Sequence, residues 1–250
     1  MSTLSASSGT ENGRLSLQTL LRNPPQLHES DGKPITYKLS DEALSFIDQH
    51  INAGLKTLET GAGISTVLFA LRGTEHTCIV PDKNQVERIK EFCRKNEIST
   101  ERIDFRIDKS ENVLPELRPT ALDLLLIDGC HGFPAPFIDW YYAGSGLKAD
   151  GILIIDDTHL WTGSVLREFL LAEPEWKDEC HILSRTAVFR KLKEGELLKE
   201  WPLQPYTLLH SKLEEDDPNS LVARAGRLVR HALKGEFSTL AKKVIRNTIG

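Results

Sequence analysis

Between Leu55 and Leu192, short apolar runs alternate with segments whose apolar residues recur at helical spacing, the pattern of parallel βαβ units. The alternation predicts strands at Lys56–Glu59, Thr77–Val80, Ile103–Ile107, Leu122–Ile127 and Ile152–Ile155. Helices are predicted between them near Ser65–Leu71, Lys83–Lys95, Glu111–Leu117, Ala135–Ala143 and Val165–Ala172. Two later runs, Cys180–Leu183 and Ala187–Leu192, have no helix between them and predict an antiparallel pair closing the sheet. Leu122, Leu124, Leu125, Leu126 and Ile127 make one apolar run, as in a central strand covered on both faces. The expected fold is α/β: a Rossmann-like, doubly wound, mostly parallel seven-stranded sheet with a C-terminal antiparallel strand pair and helical appendages at both ends.

Upstream, Leu15–Leu21 reads as a short helix stopped by Pro24 and Pro25, because proline lacks a donor and restricts the residue before it. Ser40 is an N-cap for a second helix, with Asp41 and Glu42 where the helix dipole favours negative charge. Leu44, Ile47 and Ile51 give that helix one apolar face, and Gly54 ends it. Residues 1–13, rich in Ser, Thr and Gly, are expected to be disordered. A helical segment over 14–54, a catalytic domain over 55–193 and a C-terminal extension over 194–250 follow.

In that extension Glu214–Asp217 is acidic, and Pro218 precedes a helical stretch, Leu221–Ile249. Leu221, Val222, Ala225, Leu228, Val229, Ala232 and Leu233 share a face, and seven residues from Arg224 to Arg246 make the stretch basic. Such a helix either packs on its own domain with a solvated charged face or serves contact: a homo-oligomer, another partner, or a weak membrane-surface contact through 221–249.

The chain's 250 residues, 40% of them hydrophobic, suffice for one full core. A formal net charge of −5 gives no overall basic footprint, so no nucleic-acid partner is expected. Cys78, Cys93, Cys130 and Cys180 show no CxxC spacing, which points away from a zinc site or a disulfide framework and toward a reducing compartment. The N-terminus lacks the layout of a signal peptide, and no stretch supplies the roughly 20 apolar residues of a transmembrane segment. The sequence therefore predicts a soluble, cytoplasmic protein.

Chemistry enters at Glu59-Thr60-Gly61-Ala62-Gly63-Ile64-Ser65-Thr66, where a strand turns sharply into a helix. Glycine there permits positive φ and lets a ligand approach the backbone, while the helix start offers free N–H groups. Dinucleotide enzymes place Gly-x-Gly-x-x-Gly at the same point, but here Thr66 holds the third glycine position, and the Glu59 carboxylate would repel a pyrophosphate. A zwitterionic amino acid beside a sulfonium tolerates that acid. Roughly 20 residues on, Asp82 follows the second strand at the distance where an acid reaches ribose hydroxyls, and it also stands where it can cap the helix at Lys83.

The form acid-x-Gly-x-Gly resembles the first motif of the class I S-adenosylmethionine-dependent methyltransferases. The resemblance implies S-adenosyl-L-methionine as cofactor, with its methionine part wrapped by Glu59, Gly61, Ala62, Gly63 and Ser65, the last at a position glycine often holds. It further implies that Glu59 positions the cofactor's amino group, that Asp82 binds the ribose, and that Asp108 and Ser110 lie near the adenine.

Two further turns, Asp128-Gly129-Cys130-His131 and Asp156-Asp157-Thr158-His159, each begin where an apolar strand ends. Three clustered carboxylates repel one another unless a cation or protons relieve them, and oxygen ligands suit a hard ion such as Mg2+. Ile-Asp-Gly-x-His followed by Asp-Asp is similar to a branch of that family, the metal-dependent O-methyltransferases of catechol and macrolide-sugar type, over about Leu39–Leu192. The likeness implies a metal held by Asp128, Asp156 and Asp157. On that model the metal binds neighbouring hydroxyls of a small-molecule or sugar acceptor, acidifies one and aligns its oxygen with the methyl sulfonium.

His131, which shares the turn with Asp128 and belongs to a residue type titrating near neutrality, is the first candidate for the base, and His159 is the second. Other roles stay open: Asp128 facing the sulfonium without metal, Asp157 capping the next helix, His131 only orienting its turn. Trp140, Tyr141, Tyr142 and Trp161 are candidates either for an acceptor wall or for the core. Beside Mg2+-assisted O-methylation stand two alternatives, an NAD-dependent oxidoreductase and a non-catalytic protein of this fold that binds a partner or membrane surface.

Overall fold

The computed structural model describes residues 15–193 and 199–211. The expected disorder of 1–13, the acidic run Glu214–Asp217 and the basic helix over 221–249 lie outside the described residues. The chain divides into two compact units, Met1–Val113 and Leu114–Gly250.

The first unit opens with α1 (Leu17–Arg22), whose N-cap Ser16 accepts from the Thr19 N–H. An antiparallel hairpin follows, β1 (His28–Ser30) and β2 (Lys33–Ile35). Hydropathy gives no sign of these short polar strands. Their signal is the turn Asp31–Gly32, both residues at positive φ, the backbone that suits a two-residue hairpin loop. In α2 (Asp41–His50) the Ser40 hydroxyl accepts from the Ala43 N–H at 3.1 Å, and Ala43, Leu44 and Ile47 are buried, as cap and spacing predict.

Next come β3 (Lys56–Thr60), α3 (Ile64–Arg72), β4 (Glu75–Ile79), α4 (Lys83–Lys95) and β5 (Ile103–Arg106). The three strands are parallel neighbours, with Glu59 opposite Cys78. Leu58, Val67, Leu68, Ile79, Val86 and Ile89 are buried in this unit, each stabilising it by about 1.5–3 kcal/mol through the apolar area withdrawn from water. The helix α5 (Ser110–Leu117) spans the boundary between the units in sequence.

The second unit contains β6 (Leu122–Ile127), α6 (Ala135–Gly144), β7 (Leu147–Ile155), α7 (Trp161–Ala172), β8 (Trp176–Ile182), β9 (Thr186–Lys191) and α8 (Pro205–His210). β6 and β7 are parallel, and β9 is antiparallel to both β7 and β8. β7 starts five residues before the apolar run that announced it, because Lys148, Ala149 and Asp150 extend the strand with exposed side chains. Lys191 is fully buried, and its ammonium donates to the carbonyls of Gly144, Ser145 and Leu147 at 2.9–3.1 Å. Those oxygens lie at and just beyond the C-terminal end of α6, where a cation is favoured.

Within the first unit the strands run in the order β5-β4-β3 and within the second β6-β7-β9-β8, which gives the seven mostly parallel strands of the predicted architecture with the antiparallel pair at the end. Among the described residues no helix is long and apolar enough to cross a membrane.

Candidate active site

The two glycines of the turn after β3 are required for different reasons. Gly61 has φ 92°, and its N–H donates to the Ile79 carbonyl at 2.9 Å, tying the end of β3 to β4. Gly63 is extended, and a β-carbon there would stand 3.3 Å from Cε1 of His28. The Ala62 carbonyl between them accepts from the side-chain amide of Gln85 at 2.6 Å and lies 3.0 Å from His28 Nε2.

Glu59 is 1% exposed. Its carboxylate accepts from Ser65 Oγ at 2.7 Å and from Thr66 Oγ1, and His76 Nε2 is 3.1 Å away. Thr66 Oγ1 in turn accepts the Gly63 N–H at 3.0 Å. The acid thus braces the first turn of α3 from beneath, and a threonine stands at the third glycine position because its hydroxyl is part of that brace.

Asp82 caps α4, with Oδ1 accepting the Asn84 N–H at 2.8 Å and Oδ2 3.1 Å from an Arg88 nitrogen. Its side chain stays 47% exposed, so the cap leaves room for a ligand. Asp108 is exposed and accepts from the Asn112 amide and the Lys109 N–H, bonds that hold its carboxyl below the usual range, Asn112 contributing most. Ser110 is the first residue of α5.

In the second unit Ile127 and Ile155 pair across β6 and β7, and Asp128 and the pair Asp156–Asp157 follow directly. Asp128, His131 and Asp157 offer two carboxylate oxygens and an imidazole nitrogen that all lie within 4.8 Å of one another. His131 Nε2 is 3.1 Å from Asp157 Oδ2, and His159 Nδ1 is 3.6 Å from Oδ1.

Asp156 turns elsewhere. It is buried, its Oδ1 accepts from Thr186 Oγ1 at 2.5 Å, and burial, opposed by that bond, raises its pKa. Arg185 joins the pair, with Nη2 2.7 Å from Asp157 Oδ1 and Nε 3.8 Å from Asp156 Oδ2. The N–H and hydroxyl of Thr158 both donate to the Arg185 carbonyl, at 2.7 and 2.6 Å, so the turn between β8 and β9 is pinned where it delivers a cation to the acids. Gly163, in the first turn of α7, allows the packing: a β-carbon there would fall 2.8 Å from the Asp157 carbonyl oxygen.

The aromatic candidates separate by exposure. Trp140 is buried edge-on against Phe169, and Tyr141 meets Tyr142 edge-on. Trp161 is 68% exposed beside the equally exposed Phe133, ring centres 6.0 Å apart. Three residues that shape the site carry little or no mark in the sequence. Gln85 has one, a polar residue on the buried face of an amphipathic helix. His28 and Arg185 have none, being 34 and 28 residues from the groups they touch.

Residues 58–158 match the family model of a methyltransferase domain. No curated protein matches the chain. Among solved structures, a candidate caffeoyl-CoA O-methyltransferase from Staphylococcus aureus superposes with a TM-score of 0.55 at 17% identity, covering 71% of this chain and 93% of that one. The O-methyltransferase TomG from Streptomyces achromogenes, involved in tomaymycin synthesis and solved with S-adenosylmethionine, gives 0.52 at 12% identity, covering 62% and 82%. A candidate rRNA methylase from Clostridium thermocellum gives 0.52 at 13% identity, covering 64% and 100%. At such identities the likeness concerns the fold. Residues 58–158 are thus similar to a methyltransferase domain, and the chain shares the fold of the class I S-adenosylmethionine-dependent methyltransferases.

Proposed function

We propose that the protein transfers the methyl group of S-adenosyl-L-methionine to a hydroxyl oxygen of a small molecule or sugar, assisted by a divalent cation such as Mg2+. One observation carries this reading: the convergence of Asp128, His131 and Asp157 after β6 and β7. In open α/β sheets ligands sit beyond the carboxyl ends of strands, and the glycine turn and both acidic turns each follow such an end.

Two carboxylate oxygens and one imidazole fit a divalent cation, the imidazole admitting Mn2+ or Zn2+ as readily as Mg2+. Asp128, His131 and Asp157 would hold it, and when bound it supplies the Lewis acidity that makes an acceptor hydroxyl easier to deprotonate. With His131 in that role, His159, half exposed beside Asp157, is the base. The turn from Glu59 to Ser65 receives the methionine part of the cofactor, Asp82 the ribose, and Asp108 and Ser110 border the adenine. The acceptor oxygen takes the methyl carbon as the carbon–sulfur bond breaks, and the hydroxyl proton passes to the histidine.

A second reading rests on the same histidine. A hydrogen bond from His131 Nε2 to Asp157 fixes the tautomer and leaves Nδ1 as base, while Arg185 already offsets the carboxylate. Turnover of diol acceptors in EDTA separates the two. Loss of activity that Mg2+ or Mn2+ restores supports the cation, whereas full activity in EDTA overturns it and leaves His131 as a metal-free base. Tight binding of NAD in place of S-adenosylhomocysteine would overturn both.

A further inference from the structure

The amino-terminal hairpin reaches the glycine turn through His28. His28 Nε2 is 3.0 Å from the Ala62 carbonyl oxygen, and its Nδ1 accepts the Tyr37 N–H at 3.4 Å. Together these contacts require the neutral tautomer with its proton on Nε2. Gly63 leaves the space the imidazole occupies, and the Tyr37 ring meets it edge-on at 5.5 Å.

The peptide between Ala62 and Gly63 is therefore held on both sides, its carbonyl by His28 and Gln85 and its N–H by Thr66. The hairpin is anchored in turn by Arg88 of α4, which donates to the Leu27 carbonyl at 2.8 Å and reaches Glu29 at 3.4 Å and Asp82 at 3.1 Å. Arg88 thus joins the hairpin to the acid that stands ready for a ribose.

We infer that His28 is a positioning residue for S-adenosylmethionine, acting through the Ala62 carbonyl, so that the β1–β2 hairpin belongs to the cofactor site. The inference rests on the reading that the glycine turn binds that cofactor. It is tested by calorimetric titration of the full chain with S-adenosylhomocysteine, alongside melting curves and steady-state kinetics.

His28→Leu should weaken binding about three- to tenfold, the range one part-buried hydrogen bond commands. It should raise the KM for S-adenosylmethionine while leaving kcat near its original value. His28→Gln, whose longer amide can donate to the same carbonyl, should recover most of the affinity, and His28→Asn, too short to reach, should not. Wild-type affinity in His28→Leu overturns the inference. Where His28→Leu fails to fold, equal affinities of the Gln and Asn variants overturn it instead. Failure of the wild-type chain to bind S-adenosylhomocysteine overturns the reading of the turn, a result distinct from either.

Discussion

Asp157 faces His131, His159 and Arg185 at once, while Asp156 beside it is spent on Thr186. The two acids should therefore answer differently to substitution. Asp157→Ala removes a carboxylate shared by both histidines and is expected to lower turnover about 100-fold or more, the scale of losing a metal ligand or a base's partner. Its affinity for S-adenosylhomocysteine should stay near wild type, and retention of most activity would remove Asp157 from the centre.

Asp156→Asn keeps an acceptor for the Thr186 hydroxyl and should be much milder. Burial raises the Asp156 pKa, so the folded chain holds this proton more readily than the unfolded one. That contribution to stability is present at low pH and falls as pH rises through the window above the ordinary carboxyl value. Melting curves from pH 4 to 7 should lose part of this slope in Asp156→Asn.

His28 has the opposite sign. Burial comes first in holding its pKa below 6.5, Arg88 adding to the shift and Asp82 and the Ala62 carbonyl opposing it. The folded chain resists the proton, so acidification below 6.5 should loosen the glycine turn and weaken S-adenosylhomocysteine binding. His28→Gln should flatten that dependence; an identical profile in the variant would place the titrating group elsewhere.

At the scale of elements, the turn after β7 and the start of α7 form one piece. Gly163→Ala would set a methyl group 2.8 Å from the Asp157 carbonyl oxygen and 3.1 Å from the Thr158 Cα, both backbone atoms. Relieving that contact should cost about 1–3 kcal/mol in urea unfolding and shift Asp157 enough to reduce turnover. Unchanged stability would mean that the turn yields freely, and the precision argued for Asp157 would go with it.

The same glycine explains a boundary the sequence misplaces. Thr162, Gly163 and Ser164 look like a break, so helical spacing predicts a start at Val165, whereas close packing begins the helix at Trp161. Strands β3 and β6 are legible because their side chains are almost all apolar or inward-facing. β1 and β2 are not, because three-residue polar strands carry no period, and only the Asp31–Gly32 turn betrays them. The ends of the apolar runs placed Asp128, Asp156 and Asp157 in two turns, but not the grouping of Asp128 and Asp157 with His131 rather than with Asp156. Which of them would face outward was not legible, since Thr186 and Arg185, nearly 30 residues later, decide it.

For the whole molecule, the proposed small hydroxylated acceptor has one rival, RNA, which is what one similar fold is described as methylating. Fold likeness cannot choose, because one architecture hosts many substrates. Charge can. Binding to a polyanion is driven by release of counterions from phosphates that lysines and arginines neutralise, so it requires a concentrated basic surface. This chain carries 36 acidic against 31 basic side chains, a formal net charge of −5, and seven of the basic ones fall between Arg224 and Arg246, so no excess of basic residues is left to build such a surface elsewhere. A small diol, the acceptor proposed above, needs no such surface. Incubated with labelled S-adenosylmethionine at about 0.15 M salt, where non-specific polyanion binding is already weak, the protein should label a catechol or sugar-diol acceptor and leave total RNA unlabelled. Efficient labelling of RNA at that salt, with none of the diols, would show that a local basic surface outweighs the net charge and would replace the small-molecule reading with a nucleic-acid one.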